Sequence, residues 1–350
     1  MFRSWWGSLR SHGHEQKPSK RVPAVTGSST NDAVGVLVMA YGTPASADDV
    51  EAYYTHIRRG RPPSPEQLAN LQARYDALGG TSTLAARTAD QIAGIASALH
   101  DAVDDHYVVT LGQKHASPFV EDGVAELVAA GVDRIVGLVL APHHSAASVG
   151  QYHDRASATA AGTGVPYSGI DRWFDRTGYH RFLVDAVREG LADLAARSAP
   201  ERTEVVFTAH SLPERVLAGD SYADELEEGA RRVAEELGLS SNTGRGAGPT
   251  WSVGWQSAGA TPEPWRGPDI LEVLRDVADS GRADALLVCP HGFVADHLEV
   301  AYDLDIEAAG LAAELGVTFA RTRVLNDHPA TLGDLAHLIA RTASHPRSDR

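Results

Sequence analysis

Cysteine is nearly absent: Cys289, inside the run ALLVCP, is the single thiol among 350 residues. One thiol cannot close an intrachain disulfide, and it cannot supply the ligands of a cysteine-bound iron–sulfur cluster or an all-cysteine zinc site. It reads as a buried structural thiol in a chain suited to a reducing cytoplasm. No run approaches the roughly 20 apolar residues of a membrane span, so stable membrane insertion is not expected. Basic residues are outnumbered, 31 Lys and Arg against 46 Asp and Glu, for a formal charge of −15. A nucleic-acid partner, which needs a basic face, is excluded on that ground. Also missing are the phosphate-binding G-x-x-x-x-G-K-[ST] loop and the G-x-S-x-G elbow, so neither nucleotide hydrolysis nor a hydrolase triad finds support.

Positive charge that is present gathers at the start. Residues 1–31 carry five Lys and Arg against one Glu, or +4, which leaves −19 for the rest. This stretch lacks a continuous apolar segment and makes a poor signal peptide. Its Ser, Gly, Pro and His content predicts a disordered basic tail over residues 1–33.

From residue 34 onward, short apolar runs alternate with segments whose apolar residues recur at three and four. The runs are VGVLVMAY, HYVVTLGQ, RIVGLVLAP, EVVFTAH, TWSVGWQ and ALLVCP; SPEQLANLQARYDAL and YADELEEGARRVAEELG are among the helical segments. Strands apolar on both faces, separated by helices, predict an α/β protein with parallel sheets covered by helices. VGLVLAPHHS echoes ALLVCPHGF, and VLVMAYGTP echoes VVFTAHSLP. Two similar halves explain the echo, and so does the shared composition of buried strands.

What ends each run carries the chemistry. Tyr41, His115, His143, His210, Gln256 and His291 fall at or just past the carboxyl ends of the six runs. In open α/β sheets ligands bind along that edge. A lone histidine there is commonly a capping residue, but several on one edge are costly to bury without a reason. His210 is followed by Ser211, yet neighbours on a strand point to opposite faces, so the two do not form a nucleophile–base pair. A strand-end histidine near carboxylates suits proton acceptance or metal ligation.

The carboxylates follow in DHLEVAYDLDIE, where a regular helix stacks Glu299, Asp303 and Glu307 on one face at i, i+4 and i+8. Like charges so placed repel by a few tenths of a kcal/mol per pair. The arrangement is either a solvated acidic face or a set of steps that hands a cation inward. HIRRGRPP likewise has two readings. It is a well-formed helix end, with cations, Gly60 and prolines, or an anion clamp on an acidic protein.

Seven segments in order, LVMAYGTP, YYTHIRRGR, YDALGGTSTL, LAPHHS, TAHSLPER, VGWQSAGATPEPWRGPD and GFVADHLEVAYDLD, give the chain from about residue 34 to 345 a resemblance to the ferrochelatases, closest to the soluble type of Gram-positive bacteria that metallates coproporphyrin III. The resemblance implies two Rossmann-like domains with a porphyrin cleft between them: residues 34–142 with 324–345, and residues 143–323. It implies insertion of Fe(II), as substrate, into coproporphyrin III; protoporphyrin IX is the alternative substrate, and a non-catalytic porphyrin or haem carrier and a cobalt chelatase are the alternative functions. His210 and Glu299 match the family's catalytic pair, sharing metal ligation and acceptance of the pyrrole protons. Tyr41 matches an axial ligand and His115 a further metal-site histidine. Asp303 and Glu307, with Arg74, match positions around a second hydrated divalent metal such as Mg(II). Arg58 and Ser82 match propionate-binding positions. With Cys289 alone, the [2Fe–2S] cluster of many relatives is not expected. A cytoplasmic monomer with transient contacts to other haem-pathway enzymes is the implied setting. His291 stands where relatives usually carry an aliphatic residue, and the Gly-rich loop at 240–249 reads as an insertion.

Overall fold

A computed structural model of the chain describes residues 33–102, 107–198, 202–241, 248–259 and 261–345. The tail expected at 1–33 lies outside the described residues except for Ala33, as does most of the Gly-rich loop. The first half runs β1 (Val34–Ala40), α1 (Val50–Ile57), α2 (Pro65–Ala77), α3 (Leu84–Ala102), β2 (Tyr107–Gln113), α4 (Val120–Ala129), β3 (Arg134–Val139), α5 (Gln151–Ala161) and β4 (Tyr167–Ile170). A long helix, α6 (Thr177–Ser198), leads into β5 (Thr203–His210), α7 (Glu214–Leu217), α8 (Tyr222–Leu237), β6 (Ser240–Ser241), β7 (Thr250–Gln256), α9 (Ile270–Ser280) and β8 (Ala285–Cys289). Then come α10 (Leu298–Val300), a π-helical stretch (Ala301–Ala308), α11 (Ala309–Leu315), β9 (Thr318–Arg321) and α12 (Pro329–Ser344).

Local chemistry sets several boundaries. Ser64 and Gln67 form a reciprocal capping box with Pro65 in the first turn of α2, and Asp269 and Glu272 do the same for α9. Gly281, left-handed at φ 60, ends α9.

Both sheets are wholly parallel. Their strand orders are β2-β1-β3-β4 and β6-β7-β5-β8-β9. With the two-residue β6 set aside, the orders match strand for strand, β1 with β5 and β3 with β8. Those are the pairs whose sequences echo each other, so the echo marks two halves of like topology.

The expected boundary at residue 142 does not hold. β4 pairs with β3 in the first sheet, so residues 143–170 help build the first half. The cause is a strand of only four residues, YSGI, too short and polar to register as an apolar run. One apolar cluster links the halves. It runs from Val36, Val38 and Val136 through Phe182 and Val187 of α6 and Leu335 and Ile339 of α12 to Val205, Phe207 and Leu287. At about 25 cal/mol per Å² of apolar surface removed from water, such burial is the main stabilising term. Among the described residues, no helix is long and apolar enough to cross a membrane.

Candidate active site

β5 ends on His210 and β7 on Gln256, paired in register at the carboxyl edge of the second sheet. The turn after β8 comes close behind them: Gly292 donates its N–H to Thr208 O at 3.0 Å. A side chain at 292 would overlap Ala209, so only glycine allows this approach.

His210 Nδ1 lies 2.5 Å from Ser211 O. A carbonyl only accepts, so Nδ1 carries the proton and the lone pair of neutral His210 sits on Nε2. That nitrogen faces Glu299 Oε1 at 3.6 Å. On the other side of the carboxylate, His297 Nε2 stands 3.5 Å from Glu299 Oε2, and His297 Nδ1 donates to Ala295 O at 2.9 Å. One carboxylate is therefore flanked by two imidazoles, each pinned by its Nδ1–H and each turning Nε2 inward. Burial lowers His210's affinity for a proton, but attraction to Glu299 outweighs it and the net shift is upward. Burial likewise opposes ionisation of Glu299, yet the two histidines hold it well below the usual carboxylate range. Side-chain exposure of about a third, 34% for His210 and 32% for Glu299, leaves the pair open to a ligand.

A second group forms where β1 and β2 end. His115 donates its backbone N–H to Tyr41 O at 3.0 Å, and its ring lies 4.7 Å from Tyr41's. His56 and His115 share a hydrogen bond between their Nδ1 atoms at 3.0 Å. Burial, reinforced by Lys114 and His56, lowers His115 to about 3, so it is neutral and keeps a lone pair. Tyr41 is 44% exposed, but desolvation and the charge of Glu299 push its phenol upward, which keeps it protonated.

The acidic steps depart from expectation. Residues 301–308 are π-helical, not α-helical, yet Asp303 and Glu307 still line one cavity. Asp303 turns inward and is buried, bonded to Arg74 and Ser257 Oγ. Arg74 also lies over the Tyr302 ring at 4.4 Å. Asp305, which the spacing argument passed over, takes Arg321 Nε and Nη2 at 2.6 and 2.9 Å, and Arg321 reaches on to Asp296 at 3.1 Å. Glu307 is exposed beside a cavity of about 250 Å³ lined also by Arg74, Gln256, Asp269 and Asp303. Of the three acids expected to repel, Asp303 meets an arginine and Glu299 two imidazoles.

The expected metal residues divide into three groups: His210 with Glu299, Tyr41 with His115, and Asp303 with Arg74 near Glu307. Among the described residues, no three His, Cys, Asp or Glu side chains come together to hold an ion unaided. Arg74 occupies the place at Asp303 where a second cation was expected. Arg58 bonds Arg61 O at 3.2 Å and lies over Tyr54 at 5.6 Å. Ser82 Oγ accepts Leu84 N at 3.2 Å at the start of α3. Its neighbour Thr83 donates to Asp296 O at 2.9 Å, which brings that loop against the segment leading to Glu299.

His297, His56 and Ser257 were not anticipated. His297 precedes Glu299 by two, a spacing that faces away on a helix. At the N-cap its backbone is extended (φ −154, ψ −177), and residues two apart then share a side. An imidazole just before a helix start was the available signal.

The ferrochelatase family model matches residues 33–343. The chain belongs to the ferrochelatase family. Coproporphyrin III ferrochelatase of Anoxybacillus flavithermus is 42% identical over 309 residues, 87% of this chain and 95% of that protein. The enzyme of the same name from Geobacillus kaustophilus is 41% identical over 309 residues, 87% of this chain and 94% of its own. Among solved structures, SirB from Bacillus subtilis with Fe3+ superposes with a TM-score of 0.54 at 12% identity, covering 89% of this chain and 96% of that one. At that identity the likeness speaks for the fold alone.

Proposed function

We propose that this chain inserts Fe(II) into coproporphyrin III, with His210 and Glu299 as the reacting pair. One observation carries the reading: a carboxylate held between two imidazoles, each with Nε2 turned to it and to no other partner among the described residues. Metallation replaces two pyrrole N–H protons with one divalent ion. His210 Nε2 accepts a proton; Glu299 stabilises the imidazolium and links it to His297, so both protons have a route off the porphyrin. The relatives named for coproporphyrin III support the choice of substrate.

Tyr41 and His115 supply neutral donors at the ends of β1 and β2, fitting a phenol that contacts the metallated ring and an imidazole that receives incoming metal. Arg58, whose guanidinium meets only a backbone carbonyl and an aromatic face among the described residues, is left for a propionate, with Ser82 as a second contact. Glu307, exposed at the outer cavity, is assigned to a hydrated divalent cation such as Mg(II) or the incoming iron. We place the reaction in the cytoplasm, carried out by a monomer that passes its product to another haem-pathway enzyme. Anaerobic metallation of coproporphyrin III and protoporphyrin IX side by side tests the reading. Faster turnover of coproporphyrin III is expected; preference for protoporphyrin IX, or tight haem binding without metallation, overturns it.

A further inference from the structure

Gln256 is fully buried, yet both ends of its amide are bonded. Oε1 accepts from Thr208 Oγ1 at 2.9 Å, and Nε2 donates to the backbone oxygen of Glu299 at 3.0 Å. Its own carbonyl accepts the N–H of Ser211, at 2.8 Å, the residue whose oxygen anchors His210 Nδ1. The backbone oxygen of Glu299 only accepts, so the NH₂ end faces it, and Thr208, also fully buried, gives its hydroxyl proton to the oxygen end. The next residue, Ser257, turns at φ +61 and gives its hydroxyl to Asp303.

His210 ends a strand and Glu299 sits on a helix from another part of the chain, and no backbone ladder joins the two. Their 3.6 Å separation depends on what bridges the elements. Gln256 touches both. An apolar side chain would fill the same space without fixing a distance, and a buried amide is costly unless bonded at both ends.

We propose that Gln256 is a positioning residue for metallation, holding the Glu299 backbone at the distance from His210 that the pair requires. This rests on the assignment of His210 and Glu299 as the reacting pair.

Steady-state metallation by the purified full chain tests it. Gln256→Met, similar in volume but without the amide, should lose about 10–100-fold in kcat while KM for porphyrin and for Fe(II) changes by less than about threefold. Thr208→Val should slow turnover less, and Thr208→Ser, which keeps the hydroxyl, should restore it. The double variant Thr208→Val, Gln256→Met should be no slower than Gln256→Met alone, because both remove one brace. If Gln256→Met does not fold, the Thr208 pair decides by itself. Native kcat in Gln256→Met, or equal turnover in Thr208→Val and Thr208→Ser, overturns the assignment. His210→Ala measured in parallel separates the two ideas: normal turnover there removes the reacting pair, whereas an inactive His210→Ala beside native Gln256→Met removes only the positioning role.

Discussion

Arg74 on α2 closes on Asp303 in the π-helical stretch across 229 residues of sequence, and Asp303 is only 7% exposed at its side chain against 25% for the arginine. The two partners are therefore unequal. Removing the arginine strands a buried carboxylate, whereas removing the carboxylate leaves a cation that can turn to water. Arg74→Ala is expected to cost about 2–4 kcal/mol in urea unfolding and Asp303→Asn less than half of that. Millimolar Mg(II) should stabilise Arg74→Ala more than it stabilises the native chain, since only the variant frees Asp303 for a cation. Equal costs for the two substitutions would remove the asymmetry.

His210→Ala should lower kcat by about 10²–10⁴-fold with unchanged circular dichroism, the span usual for loss of a proton-accepting side chain. Glu299→Gln should fall in the same span. His297→Ala, which loses the outer imidazole alone, should retain more activity than either. A His297→Ala enzyme as slow as His210→Ala would mean that the two imidazoles play equivalent parts.

Arg58→Met is expected to raise KM for coproporphyrin III by about tenfold with kcat nearly constant, as loss of a charge-assisted hydrogen bond that holds substrate and transition state alike. Competition by mesoporphyrin, which has two propionates fewer, should be affected less. A fall in kcat at constant KM would place Arg58 elsewhere in the reaction.

His143 and His291 meet edge to face with ring centroids 5.3 Å apart, both buried. Burial, with each other's proximity, drives His143 well below its ordinary range; burial lowers His291 to about 4 despite its bond to Leu226 O. Folding thus favours the neutral imidazoles, while the unfolded chain binds protons below pH ~6.5. Stability should be complete above that pH and fall as pH drops from about 6.5 toward 4. His291 alone should contribute on the order of 2 kcal/mol of the loss by pH 5. Urea midpoints at pH 7 and pH 5 check this: the difference should shrink in His291→Leu, and an unchanged difference would refute it.

Much of this was readable from residue order, and the exceptions have physical causes. All six apolar runs became strands β1, β2, β3, β5, β7 and β8; all but β2 lie inside their sheets, where parallel strands are apolar on both faces. The missing strands, β4, β6 and β9, have four residues or fewer and lie at or next to sheet edges, where one side is free of that demand. The strand-end rule placed Tyr41, His210 and Gln256 but did not show that Gln256 reaches a helix carbonyl. That link depends on where residue 299 comes to rest, a tertiary fact. Residue spacing put three acids on one stripe but passed over Asp305 and gave no sign that Arg74 of α2 and Arg321 of β9 close on Asp303 and Asp305.

The matched strand orders have a consequence at the seam. Pro142-His143 after β3 and Pro290-His291 after β8 hold equivalent places in the two halves, and it is these two equivalents that touch. In a symmetric homodimer, equivalent residues meet only at the two-fold axis. At this seam the two halves of one chain meet as the subunits of a symmetric dimer would, through equivalent residues. The same equivalence relates Tyr41 to His210: matching places, just past β1 and at the end of β5, carry a phenol in one half and an imidazole in the other.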